Sequence, residues 1–162
     1  MTEALVVADS GPLIGLARID QLQILPALSE RILVPPAVWH EVTEASPEAP
    51  GAAAVRSVEW IEIQAPEPGS VAPLRILLDA GESEAIALAQ QIAALVVLDD
   101  SRARRVAERL GVRRIGTVGL LRRAKLGGFI AELRPQLDRL QNAGIHLSPR
   151  LIDAVLESVG ES

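Results

Sequence analysis

The sequence predicts an α/β fold, a three-layer sandwich with a small, mainly parallel central sheet. Three observations predict it. Two runs, "ALVVA" (4–8) and "ALVVLD" (94–99), are almost wholly apolar, as strands covered on both faces must be. Strand-like runs are separated by segments of helical length, which implies βαβ crossovers. Nothing in the 162 residues divides the chain, and that length suits one domain spanning 1–162.

The elements follow in order. "ALVVA" ends at Asp9, and Pro12 opens a helix carrying Leu13, Ile14, Leu16 and Ala17. A second strand, "RILVP" (31–35), leads into "PPAVWHEV", where Pro36 suits the first turn of a helix. "VEWIEIQ" (58–64) is the one run that alternates clearly. "GESEAIALAQQIA" is the strongest helix, rich in Ala, Leu, Glu and Gln, and it feeds "ALVVLD". "SRARRVAERLG" ends on Gly111 as a C-cap would, before the strand "RRIGT" (113–117). Three helices close the chain: "TVGLLRRAKLGG", "FIAELRPQLDRLQNAG" and "SPRLIDAVLESVG". The Pro-rich stretches 44–54 and 65–73 read as loops or short irregular helices.

Composition removes several functions. Aromatic residues are only 2% of the chain, so the core is expected from Leu, Ile, Val and Ala with Trp39, Trp60 and Phe129 as exceptions, and aromatic platforms for stacking bases are scarce. Without cysteine there are no disulfides, thiolate nucleophiles or zinc–thiolate sites, which fits a cytoplasmic protein. No basic leader and no run of about 20 apolar residues appears, so neither a signal peptide nor a membrane span is expected. His40 and His146 are lone imidazoles with no paired serine nucleophile, and no phosphate-binding glycine motif occurs.

The net charge of −5 hides an asymmetry. Residues 1–100 hold 15 acids and four arginines, whereas residues 101–139 hold 11 Arg or Lys against three acids. The basic segment reads either as solvated helix faces or as a phosphate-contacting face.

In an open parallel sheet, ligands sit beyond the carboxyl ends of the strands, so acids there carry weight. Asp9 closes the first strand; Asp99 and Asp100 close the fourth, although one of them is enough to cap the helix that follows. Glu82 lies near the apolar stripe of its helix (Ala85, Ile86, Ala89, Ile92), whereas Glu84 lies off it, which makes Glu82 the better inward-facing candidate. Glu41 sits on the margin of the buried face of "PPAVWHEV". Gathered carboxylates repel one another, and a hard divalent cation relieves that repulsion; oxygen donors without sulfur point to Mg²⁺ or Mn²⁺. Asp100, with Asp99 in support, would hold metal, while Arg102, Arg104 and Arg105 would draw in a phosphate or else pair with the acidic rim.

These stretches resemble the PIN-domain nucleases, in particular a subgroup of predicted nucleic-acid-binding proteins related to VapC-type toxins. The resemblance rests on "VVADSGPLIGLARI", "VPPAVWHEV", "LDAGESEAIALAQ" and "VVLDDSRARRVAERLGVRRIGTVGLLRRAKLGG", in order and over almost the whole chain. It implies a small parallel sheet flanked by helices and a metal-dependent site for single-stranded RNA. The family's opening Asp then corresponds to Asp9, with Ser10 as its polar neighbour, its second acid to Glu41, its third to Glu82 and its fourth to Asp100. Glu82 stands where the family commonly has Asp, with Glu84 as rival, and Leu98 and Asp99 stand where a Thr or Ser is usual.

The expectation is a Mg²⁺- or Mn²⁺-dependent endoribonuclease, the toxin of a toxin–antitoxin pair, homodimeric and bound by an antitoxin protein. Asp9, Glu41, Glu82 and Asp100 are its expected catalytic set; Asp9, Glu82, Asp99 and Asp100 its metal ligands; Ser10, Arg102, Arg104 and Arg105 its nucleic-acid contacts. The alternative is an inactive PIN-like module that binds nucleic acid or protein. A small-molecule phosphohydrolase ranks last, because "DSGPL" lacks a second Asp two residues after the first.

Overall fold

The structure is a computed structural model that describes residues 2–161. Its centre is a five-stranded, all-parallel sheet in the order β3-β2-β1-β4-β5, formed by β1 (Glu3–Ala8), β2 (Ser29–Val34), β3 (Ile61–Ile63), β4 (Leu95–Val97) and β5 (Arg114–Ile115). The order reverses at β1. From there the chain builds outward to β2 and β3, then returns to place β4 on the other side of β1. The crevice between the carboxyl ends of β1 and β4 is therefore the topological switch point, where open α/β sheets bind ligands.

Pleating divides the apolar runs between two layers. Val6, Ala8, Ile32, Val34, Leu95 and Val97 face one core, shared with α1 (Ser10–Arg18), α2 (Ile24–Leu28), α8 (Thr117–Leu126), α9 (Arg134–Asn142) and α10 (Pro149–Ser158). Their neighbours Val7, Leu33, Val96 and Leu98 face a second core, closed by α6 (Ala80–Ile92) and α7 (Ser101–Arg109). This period-2 partition explains why the central strands carry no polar face. Helices α3 (Pro36–Trp39) and α5 (Pro68–Val71) pack against α6, and α4 (Ala52–Ser57) packs against α1.

Several elements are shorter than the sequence suggests. The "PPAVWHEV" helix breaks after Trp39 into a wider turn, His40–Glu44, in which Ala45 N donates to His40 O. The stretch "FIAELRPQLDRLQNAG" is helical only from Arg134, because Pro135 has no amide to donate and is accepted only in a first turn. Phe129 is not a core residue: it is 52% exposed and packs beside Gly127, while Trp39 and Trp60 are half-buried against the first core. Among the described residues no helix is long and apolar enough to cross a membrane.

Candidate functional site

A cleft of about 160 Å³ opens at the β1/β4 switch point. Asp9, Ser10, Glu41, Glu82, Asp99 and Asp100, separated by up to 91 positions in the chain, all line it. Asp79 lines it as well, and among the described residues no Lys or Arg does.

Each acid is placed by the element that precedes or begins at it. Register pairs Ala8 with Val97, and Asp9 N donates to Val97 O at 3.1 Å, so the ladder delivers Asp9 to the rim already buried. Asp9 is also the N-cap of α1. In the first turn of α1, Ser10 donates its hydroxyl to Glu41 Oε2 at 2.8 Å, which turns the Glu41 carboxylate toward Asp9. Asp79 caps α6 in a reciprocal box: its Oδ1 accepts from Glu82 N at 2.8 Å while Glu82 Oε1 accepts from Asp79 N at 3.4 Å. Asp100 caps α7 by accepting from Ala103 N at 2.9 Å. Asp99 is fixed at both oxygens, Oδ1 by Thr117 N at 2.8 Å and Oδ2 by the Thr117 hydroxyl at 2.6 Å.

Electrostatics sets Asp9 apart. Burial, reinforced by the nearby negative charges of Glu82, Asp79 and Glu41, pushes its carboxyl up to about 7, although the Ser10 amide acts the other way. Glu82 is raised too, first by burial and then by Asp79 and Asp100. These acids therefore occupy the cleft without any internal cation to offset them.

The donor set suits a hard divalent cation: carboxylates and one hydroxyl, with no sulfur. Gly81 leaves a gap there, since a Cβ would stand 3.0 Å from Glu41 Oε2 and 3.5 Å from Asp9 Oδ1. Any other residue would fill the gap between those two carboxylates. Among the described residues no three acidic or imidazole groups stand close enough together to hold an ion as they are placed.

Two candidates are separated by the structure. Glu82 lines the cleft, whereas Glu84 turns away and accepts from Ala37 N at 3.0 Å, holding the first turn of α3. The arginines behave differently from the acids. Arg102 and Arg105 are exposed on α7 and do not line the cleft; Arg104 is half-buried and lines the neighbouring hollow. Among the described residues none of the three forms an ion pair, so they do not brace the acidic rim. Elsewhere in the basic segment, Arg113 and Arg123 both bind Glu3 at the amino end of β1, Arg114 pairs with Glu108 and Lys125 with Glu161. That segment is thus not one continuous phosphate-binding face.

Asp79 and Thr117 are the residues that sequence reasoning missed. Asp79 was open to discovery, because "DAGE" places Asp and Glu three residues apart at a helix start, the pattern of a capping box. Thr117 carries no comparable signal.

The model of one protein family, described as a PIN domain, matches residues 5–161 of the chain. No curated protein matches. Among solved structures, a PilT N-terminus domain protein from the hyperthermophilic archaeon Sulfolobus solfataricus P2 is similar at 21% identity, over 72% of this chain and 89% of its own, with a TM-score of 0.47.

Proposed function

The chain belongs to the PIN-domain family, a nuclease-type fold, and from that premise we propose that it is a Mg²⁺- or Mn²⁺-dependent endoribonuclease acting on single-stranded RNA. The observation that carries this reading is the carboxylate cleft at the β1/β4 switch point, lined by no Lys or Arg among the described residues, with Gly81 leaving a gap beside Asp9 and Glu41.

Asp9, Glu82 and Asp100 are the residues that would hold the metal, with Asp99 beside them. When bound, the ion supplies a Lewis acid for the phosphodiester and lowers the pKa of an attacking water. Glu41, steadied by the Ser10 hydroxyl, orients that water for in-line attack or accepts its proton. Burial, reinforced by the neighbouring acids, holds the Asp9 carboxyl near 7, and a bound cation would favour its charged form. Ser10 lies in the first turn of α1, whose amino-terminal dipole favours an incoming phosphate oxygen.

In the same reading the protein is the toxin of a toxin–antitoxin pair, cytoplasmic, homodimeric and restrained by an antitoxin. The decisive experiment incubates purified protein with single-stranded RNA, with and without Mn²⁺, beside the Asp9→Asn variant. Cleavage that needs both the ion and Asp9 supports the nuclease. RNA retention with no products under any condition would instead favour an inactive binding module. Growth arrest on expression, relieved by the product of an adjacent gene, tests the toxin role.

A further inference from the structure

A second hollow, about 460 Å³, lies at the carboxyl ends of β4 and β5, beside the acidic cleft. We propose that it is a nucleotide subsite, which seats the base and phosphate of the ribonucleotide next to the scissile bond. This deepens the nuclease reading and rests on it.

Asp99 is the partition between the two spaces. It lines both, and Thr117 fixes both of its oxygens. Its Oδ2 is 4.0 Å from where a Cβ on Gly11 would stand, on the cleft side; its Oδ1 is 3.0 Å from where one on Gly116 would stand, in the hollow. A strand of RNA with one phosphate at the cleft therefore has its neighbouring nucleotide at the mouth of the hollow.

The chemistry of the walls matches such a ligand. Ile145 and Leu151, with the largely buried Leu140 and Val155 behind them, give the hollow an apolar surface for the flat face of a base. Arg104, Arg114 (paired with Glu108) and His146 line the hollow as well, while among the described residues Asp99 is its only acid and already has both oxygens engaged. A ligand with an apolar face and a negative group satisfies both kinds of lining. Arg104 is the central contact: it forms no ion pair among the described residues, so its guanidinium donors remain available. Gly116 keeps the floor open between them, since a Cβ there would come within 3.0 Å of Asp99 Oδ1 and 3.1 Å of Arg104 Nη1. The volume suits one small molecule, within the roughly 300–1,000 Å³ of such sites, and is too small to seat a helix.

The test is a metal-free NMR titration of the whole protein with each of the four ribonucleoside 5′-monophosphates. The amides of Gly116, Thr117 and Gly119 should shift with at least one of them. Arg104→Ala should weaken that binding about tenfold, the worth of one charge-assisted contact. Leu151→Asp, at an exposed position lining the hollow, should weaken it as well by replacing apolar surface for the base with a negative charge. Unchanged amides, or affinities indifferent to both variants, overturn the subsite; so does a hollow that ignores every nucleotide but takes up a leucine-rich amphipathic peptide. Because no divalent ion is present, the outcome is independent of cleavage. A protein that binds nucleotide here yet never cuts RNA retains the subsite and loses the nuclease, and one that cuts RNA without any response here does the reverse.

Discussion

Replacing Asp9 by asparagine is expected to stabilise the metal-free protein, and increasingly so as the pH rises. In the fold the Asp9 carboxyl is pushed from 3.8 to about 7, chiefly by burial. In the unfolded chain it ionises near its ordinary value. Across that interval the unfolded state has released a proton that the folded state still holds, so wild-type stability is full below pH about 4 and falls until the pH passes about 7. At about 1.4 kcal/mol per decade the whole interval is worth about 4 kcal/mol. Asparagine keeps the shape and cannot ionise, so the variant's advantage grows by about 2 to 3 kcal/mol between pH 5 and pH 8. Urea unfolding of both proteins at those two pH values, with a common slope, measures it directly. Adding Mn²⁺ at pH 8 should close much of that gap, because an ion bound only by the folded wild type adds about 2.7 kcal/mol at a hundredfold excess over its Kd. Parallel stability profiles for the two proteins, or an Asp9→Asn protein that is weaker at pH 8, would refute the claim that burial of the Asp9 charge dominates this site.

The other expectations concern residues that can be separated one by one. Gly81→Ala should leave stability within about 1 kcal/mol, since the helical preference for alanine offsets the crowding of Glu41, while Mn²⁺ no longer raises the melting temperature; an unaltered metal response would show that the Gly81 gap is unimportant. Glu84→Ala should cost about 1 kcal/mol in urea titrations by releasing Ala37 N, with RNA cleavage unchanged; a lost activity would restore Glu84 as rival to Glu82. Thr117→Val removes the hydroxyl donor to Asp99 Oδ2 and should destabilise by roughly 1.5 to 3 kcal/mol, read by the same titration. Asp100→Asn should keep the cap on α7, and hence stability within about 0.5 kcal/mol, yet weaken Mn²⁺ binding measured by calorimetry; equal metal affinity would remove Asp100 from the ligand set.

Much of the fold was legible because the central strands are covered on both sides. "ALVVA" and "ALVVLD" have no polar face to spare, and only a parallel sheet between helix layers buries both. The ends of elements were less legible, since tertiary contacts decide them. "VEWIEIQ" looks like a seven-residue strand, but β3 is an edge that pairs with β2 only from Ile61 to Ile63. In the site, Asp9, Glu82 and Asp100 could be found because strand ends and helix starts locate them. The direction of Arg104 could not: the buried stripe Ala103, Val106 and Ala107 fixes how α7 is rotated, but β5 and α8 decide what Arg104 meets. Of "LDDSRARR", Asp99 and Asp100 therefore line the cleft and Arg104, with Asp99, the neighbouring hollow, while Arg102 and Arg105 are exposed outside both.

The acids of the cleft have a structural role even without metal, and this bears on how such a cluster survives. Asp9, Asp79 and Asp100 are the N-caps of α1, α6 and α7, so three helix amino termini converge on one rim. Their partial positive charges offset part of the repulsion among the carboxylates. Asp79 and Asp100 each spend one oxygen, Oδ1, on the cap. That bond fixes the rotamer, while Oδ2 has no hydrogen-bond partner among the described residues and stays available. Asp9 differs: it makes no side-chain cap bond, is the most deeply buried of the set and carries the largest displacement toward the protonated form. The capping acids thus supply a rigid frame at little expense to stability, and the strain of charge is concentrated on Asp9. A cation entering the cleft gains most at that one carboxylate, which is why Asp9, more than any other acid here, should couple metal binding to pH.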